Sequence, residues 1–279
     1  MINEMINGLS KLTTSSELIL KDVLILQFTI VNAFMVETGD GWVLVDTGLE
    51  SSYDYILKCA DKYFGENSRP KMIVLTHGHF DHVGSVIKLA DEWEVPVYAH
   101  ELELPYLTGS KDYPQADPQV DEGLVAKMSP AFPHHGIDLG FRAVALPKDG
   151  VIPYMPDWRW IHTPGHTEGH VSLFREKDGT LIVGDAFTTI KQESLSSVIN
   201  QIEKVKGPPA YLTTNWQEAE KSVKTLQEVN PKLALPSHGR PMNGKELSQH
   251  LEMLSEHFRV IAVPREGKFI DKKDKQYQE

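Results

Sequence analysis

The chain has 279 residues, with 28 Lys+Arg against 39 Asp+Glu and a formal charge of −11. Hydrophobic residues make up 41% and charged residues 24%, a globular balance that excludes a disordered, collagen-like or disulfide-stapled chain. The acidic surplus counts against nucleic acid as a partner, because phosphates are attracted by clustered Lys and Arg.

The length suits one large domain or two small ones. A single cysteine, Cys59, rules out an intrachain disulfide. The first residues lack a positive region followed by an apolar one, and no run of about 18 apolar residues occurs. The expectation is a cytoplasmic protein that neither crosses nor binds a membrane.

Short apolar strands alternate with amphipathic helices. Asp22–Phe28 and Ala33–Glu37 read as strands, followed by a Gly39–Gly41 turn and the strand Trp42–Val45. In Tyr53–Phe64, residues Ile56, Cys59, Ala60 and Tyr63 recur at i, i+3, i+4, i+7, which predicts a helix with Cys59 packed on its buried stripe. Met72–Thr76 is short and apolar enough for a buried strand. Val83, Val86, Ile87 and Ala90 predict the next helix, and Val95–Ala99 another strand.

Residues 101–157 carry many prolines and no clear period, so they read as a loop-rich insertion of the kind that forms lids or binding loops. Strands resume at Arg159–Thr163, His170–Phe174 and Thr180–Gly184. Helices are expected over Ser194–Val205 and Gln217–Val229, with a strand at Leu233–Pro236 between them and the end. A last helix carries Leu247, Leu251, Leu254 and Phe258 on one stripe. The expected organisation is one domain over residues 1–263, with a frayed charged tail over 264–279. Asp40–Thr47 and Asp178–Ala186 echo one another: each is a turn, an apolar strand and a closing aspartate.

The strongest chemical signal is T-H-G-H-F-D-H, Thr76–His82. His77 and His79 are two apart, so in extended chain they point the same way and can grip one ion. Asp81 and His82 fall in the first turn of the following helix, project differently and can hold a second ion. Three further candidates follow apolar strands: His166 in T-P-G-H-T-E-G-H, Asp185 after Thr180–Gly184, and His238 after Leu233–Pro236. Each alone is equally well explained as a turn residue. Their recurrence at strand C-terminal ends, where α/β proteins gather active sites, favours the functional reading.

These motifs resemble the metallo-β-lactamase superfamily, in which H-x-H-x-D-H is followed by a histidine, an aspartate and a final histidine. The likeness runs from Val31 to about Met242 and includes N-A-F-M-V-E, V-L-V-D-T-G, T-P-G-H-T and S-H-G. It implies a four-layer αββα sandwich. It implies His77, His79 and His166 on one metal, Asp81, His82 and His238 on the other, and Asp185 bridging. Asp81 and Asp185 are the candidate catalytic carboxylates. No cysteine is available at the second position, so the pattern is closer to the glyoxalase II and lactonase branch than to β-lactamases with a cysteine ligand.

Imidazole and carboxylate ligands suit two divalent ions, most naturally Zn²⁺, with Fe and Mn also compatible. The reaction implied is attack of a metal-bound hydroxide on the carbonyl of a small ester, lactone or thioester. The alternative from another class is a mononuclear iron persulfide dioxygenase. A nuclease is disfavoured by the charge and a β-lactamase by the missing secretion signal. Asp46 reads as either an orienting residue or a turn residue, and His170 as a supporting one. His134 and His135 read as solvated. His100, His162, His250 and His257 receive no functional reading, and oligomeric state is not legible.

Overall fold

The computed structural model describes residues 14–190 and 205–271. The expected helix over Ser194–Val205 lies, except for Val205, outside the described residues. The chain forms two compact units. One is built from residues up to Tyr113 together with Pro133–Pro156, the other from Pro114–Phe132 and the chain from Asp157 onward. Residues 101–157 divide between the two units.

The first unit contains a seven-stranded sheet in chain order. Strands β1 (Ser15–Leu20), β2 (Val23–Gln27), β3 (Asn32–Thr38) and β4 (Gly41–Val45) form an antiparallel meander. Strands β5 (Ile73–Val74), β6 (Val97–Ala99) and β7 (Ala143–Ala145) then add in parallel, with Leu44 opposite Ile73 and Ile73 opposite Val97. Parallel strands need crossover connections, and helices supply the first two.

Helix α1 (Tyr53–Phe64) buries Ile56, Cys59 and Ala60 against Leu24, Met35, Leu44 and Ile73 in one core. The stripe read from the sequence is the stripe that packs.

The second crossover differs from expectation. One helix carrying Val83, Val86, Ile87 and Ala90 was expected, but the chain breaks into α2 (Phe80–Val83) and α3 (Val86–Trp93). Gly84 sits between them, where a Cβ would lie 2.4 Å from the backbone nitrogen of Glu50. Resetting the helix at Ser85 shifts its phase. The buried stripe is Val86, Leu89, Ala90 and Trp93, while Ile87 is 41% exposed.

The second unit contains a five-stranded sheet, ordered β12, β11, β10, β9, β8. These are β8 (Trp158–His162), β9 (Val171–Arg175), β10 (Thr180–Gly184), β11 (Leu233–Pro236) and β12 (Met242–Asn243). Only β10 and β11 run parallel. Short helices α4 (Leu104–Leu107) in the first unit and α5 (Leu124–Met128) in the second precede α6 (Trp216–Glu228), α7 (Gly244–Glu256) and α8 (Phe258–Ile261). The Asn215 side chain caps α6 by accepting from Glu218 N at 3.0 Å. Trp216, Val223, Leu226, Leu247, Leu251, Leu254 and Phe258 pack on Leu181, Val183 and Ala234.

Residues 264–271 of the tail are described and make contacts with the second unit. Lys268 N donates to the Asp117 carboxylate, Gln217 Nε2 donates to Asp271, and Ile270 packs on the core of this unit. No helix among the described residues is long and apolar enough to cross a membrane.

Candidate metal centre

In the first unit the candidate ligands lie on the loop that leaves β5 and on α2. Asp46, at the end of β4, anchors this loop. Its φ of 57° is one that Asp tolerates better than most residues. Its Oδ1 accepts from Thr76 N and its Oδ2 from Thr76 Oγ1, each at 2.8 Å. Oδ2 also lies 2.8 Å from His82 Nδ1. A carboxylate only accepts, so His82 carries its proton on Nδ1 and presents the lone pair of Nε2.

The same logic sets His77. Thr76 gives its hydroxyl proton to Asp46, so at 3.1 Å it accepts from His77 Nδ1. His77 then offers Nε2, which lies 3.0 Å from His79 Nδ1. His77 and His82 are fully buried, His79 is 4% exposed and Asp81 5%.

Gly78, between the two histidines, donates its backbone N–H to Glu103 Oε2 and to the Tyr113 hydroxyl, each at 3.0 Å. Burial, together with the charge of Glu103 and its hydrogen bond, pushes the Tyr113 phenol well above its ordinary range.

In the second unit His166 follows β8 in a turn that requires glycine before it. Gly165 has φ of 132°, and a Cβ there would lie 2.3 Å from Ala219 N. Asp185 follows β10 and His238 follows β11, so two adjacent parallel strands deliver both. Thr213 Oγ1 donates to Pro209 O at 2.8 Å and therefore accepts from His166 Nδ1 at 3.1 Å. This leaves Nε2 of His166 as an acceptor, 3.2 Å from Asp185 Oδ2. His238 Nε2 lies 3.2 Å from the same oxygen.

The Asp185 backbone is held by His170, whose Nε2 accepts from Asp185 N at 2.8 Å. A relay follows: His170 Nδ1 meets Thr163 Oγ1 at 2.8 Å, Thr163 meets Ser172 at 3.1 Å, and Ser172 donates to Val183 O at 2.7 Å.

This donor set fits divalent metal ions. The seven candidate residues all belong to buried His and Asp groups able to hold an ion. Metal–ligand distances of about 2.0–2.2 Å place adjacent ligand atoms roughly 2.9–3.5 Å apart, the range of the separations above. With His166 neutral, its Nε2 and Asp185 Oδ2 are two acceptors 3.2 Å apart, an arrangement that a shared cation stabilises.

Within the first unit the structure gathers His77, His79, Asp81 and His82. Within the second it gathers His166, Asp185 and His238. His135 lies on the surface against Asp112 at 3.1 Å, as a solvated histidine does. Sequence reading missed Thr213, Glu103 and Tyr113. Thr76 is the first residue of the T-H-G-H-F-D-H run, and Asp46 was already read as an orienting or turn residue.

Two mixed α/β units, with ligand-type residues at strand ends, define a metal-binding α/β protein. The metallo-β-lactamase superfamily matches residues 26–238, and the chain belongs to it as an enzyme of the metal-dependent hydrolase class. It is 43% identical over 235 residues to "Probable metallo-hydrolase YflN" of Bacillus subtilis (strain 168), covering 83% of this chain and 89% of that one. A second Bacillus subtilis protein, "Probable metallo-hydrolase YybB", is 27% identical over 209 residues, covering 75% and 80%. Among solved structures, TTHA1623 in a di-iron-bound form aligns with TM-score 0.56 and 25% identity, covering 79% of this chain and 93% of that one. The B3 metallo-β-lactamase BLEG-1 aligns with TM-score 0.56 at 20% identity, covering 81% and 94%, and so shares the fold.

Proposed function

We propose that this chain is a dinuclear hydrolase of the glyoxalase II and lactonase type, cleaving a small ester, lactone or thioester. The observation that carries the reading is Asp185 Oδ2, 3.2 Å from both His166 Nε2 and His238 Nε2. One carboxylate oxygen between two imidazoles suits a bridge between two ions.

In this reading His77, His79 and His166 hold one ion, Asp81, His82 and His238 hold the other, and Asp185 serves both. Zn²⁺ matches the ligand types, and the di-iron neighbour keeps iron compatible. Two bound ions would supply Lewis acidity to the carbonyl oxygen and bring a water's pKa near neutrality. The protein's own residues do the rest. Asp46 and Thr213 fix the tautomers of His82 and His166, so that Nε2 is the ligating atom of each. Asp81, 5% exposed, holds the proton released by the attacking water on its carboxylate. The net charge of −11 favours a small molecule over nucleic acid as substrate.

The test is metal analysis of protein purified without chelator, joined to an anaerobic panel of esters, lactones and thioesters. About two ions per chain and turnover of at least one substrate class are expected. One ion per chain, an inert panel and brisk O₂ uptake with a persulfide would replace this reading with the dioxygenase.

A further inference from the structure

We propose that Glu103 and Tyr113 are positioning residues that set the His77–Gly78–His79 turn and thereby the affinity of the metal position His77 and His79 serve. The inference rests on the reading that these two histidines bind metal.

Glu103 is a fully buried carboxylate and Tyr113 is 5% exposed. Their side chains hydrogen-bond to one another, with the Tyr113 hydroxyl donating to Glu103 Oε2. Both then converge on a single backbone donor, Gly78 N, at 3.0 Å each. Gly78 is the residue between the two ligating histidines, so the pair grips the turn at its centre. A Cβ at Gly78 would lie 2.5 Å from the Tyr113 hydroxyl, which shows how closely the phenol abuts the backbone.

The grip extends to a ligand ring. Tyr113 meets the His79 imidazole edge-on, with centroids 4.5 Å apart and planes at 62°. That contact limits the ring's rotation and keeps Nδ1 toward His77 Nε2. Tyr113 is braced in turn by Tyr106, stacked at 3.9 Å and 6°. Its backbone N–H donates to His134 O at 2.9 Å. Glu103 is the N-cap residue of α4, and its carbonyl accepts from Tyr106 N and Leu107 N.

A buried carboxylate is costly unless it is well hydrogen-bonded, and an apolar residue would pack here without that cost. Its Oε2 accepts both from Gly78 N and from the phenol that shares it. Groups that orient ligands in this way typically change metal affinity 10–100-fold when removed.

The experiment compares full-length parent, Tyr113→Phe, Glu103→Gln and His77→Ala. Each apoprotein is titrated with Zn²⁺ against a chromophoric chelator, and Co²⁺ forms are compared by visible absorption. Apoprotein melting and the Gly78 amide proton shift are measured in parallel. Tyr113→Phe and Glu103→Gln are expected to weaken one of two metal positions about 10–100-fold and leave the other unchanged. They should also move the Gly78 resonance and alter the Co²⁺ spectrum.

Parent-like affinities and spectra in both variants would overturn the inference and leave the hydrolase reading intact. So would lowered melting with unchanged affinity of the folded fraction, or equal weakening of both positions. A parent that binds no metal would instead overturn the reading on which the inference rests.

Discussion

Replacing Asp46 with asparagine swaps one buried oxygen for an NH₂ group and leaves the shape almost unchanged. Asn tolerates the left-handed backbone at this position, where φ is 57°, so no backbone strain is added. The retained carbonyl oxygen can still accept from Thr76 N. The new amide group faces Thr76 Oγ1 and His82 Nδ1, which each lie 2.8 Å from Oδ2 in the parent. Both faced an acceptor and now face a donor.

His82 relieves this clash by moving its proton from Nδ1 to Nε2, the atom assigned to the metal. To bind an ion it must return to the original tautomer, with one buried donor pair unsatisfied. That costs about 1–3 kcal/mol, or roughly a 5- to 150-fold loss of affinity. Chelator-competition titration of the Asp46→Asn apoprotein should therefore show one metal position weakened within this range and the other near its parent value. Asp46→Ala removes all three bonds and also places Ala at a left-handed φ, so its apoprotein should lose on the order of 4 kcal/mol in urea unfolding. If Asp46→Asn binds both ions with parent affinities, the tautomer argument is wrong and Asp46 serves only to shape the turn.

Asp185→Ala should lower occupancy of both metal positions and reduce turnover to near background. Metal analysis showing two retained ions would contradict its bridging role. Thr213→Val keeps the side-chain volume but removes the acceptor of His166 Nδ1, and should weaken the position His166 serves about tenfold. Unchanged titration curves would show that His166 needs no such partner. Burial raises the Cys59 thiol pKa above its ordinary value, which favours the neutral form in the folded state. The stability this contributes is present below the unfolded pKa and fades as pH rises through the folded one. Iodoacetamide at pH 8 should accordingly modify folded protein far more slowly than urea-unfolded protein. Equal rates would show that the thiol is accessible.

The sequence by itself carried the ligand-type residues. His77, His166, Asp185 and His238 stand just after strands, and His79, Asp81 and His82 follow His77 in one short motif; both strand ends and ligand chemistry are local properties of the chain. It also carried the Cys59 stripe of α1, because helical period is local. Other features were decided only by tertiary structure. The phase of α3 slipped because Gly84 must pass close to the backbone of Glu50, which is distant in sequence. Strand β7 is three residues, A-V-A, that become a strand only by pairing with β6. Thr213, Glu103 and Tyr113 each reach a ligand or its turn through one hydrogen bond spanning 25 to 47 residues, and Asp46 through bonds spanning 30 and 36 residues. A hydrogen bond imposes no period on the sequence. Ligand-type residues can therefore be read along the chain, and Asp46 and His170 were legible as candidates to support them, while Thr213, Glu103 and Tyr113 are found only once the backbone has brought them together.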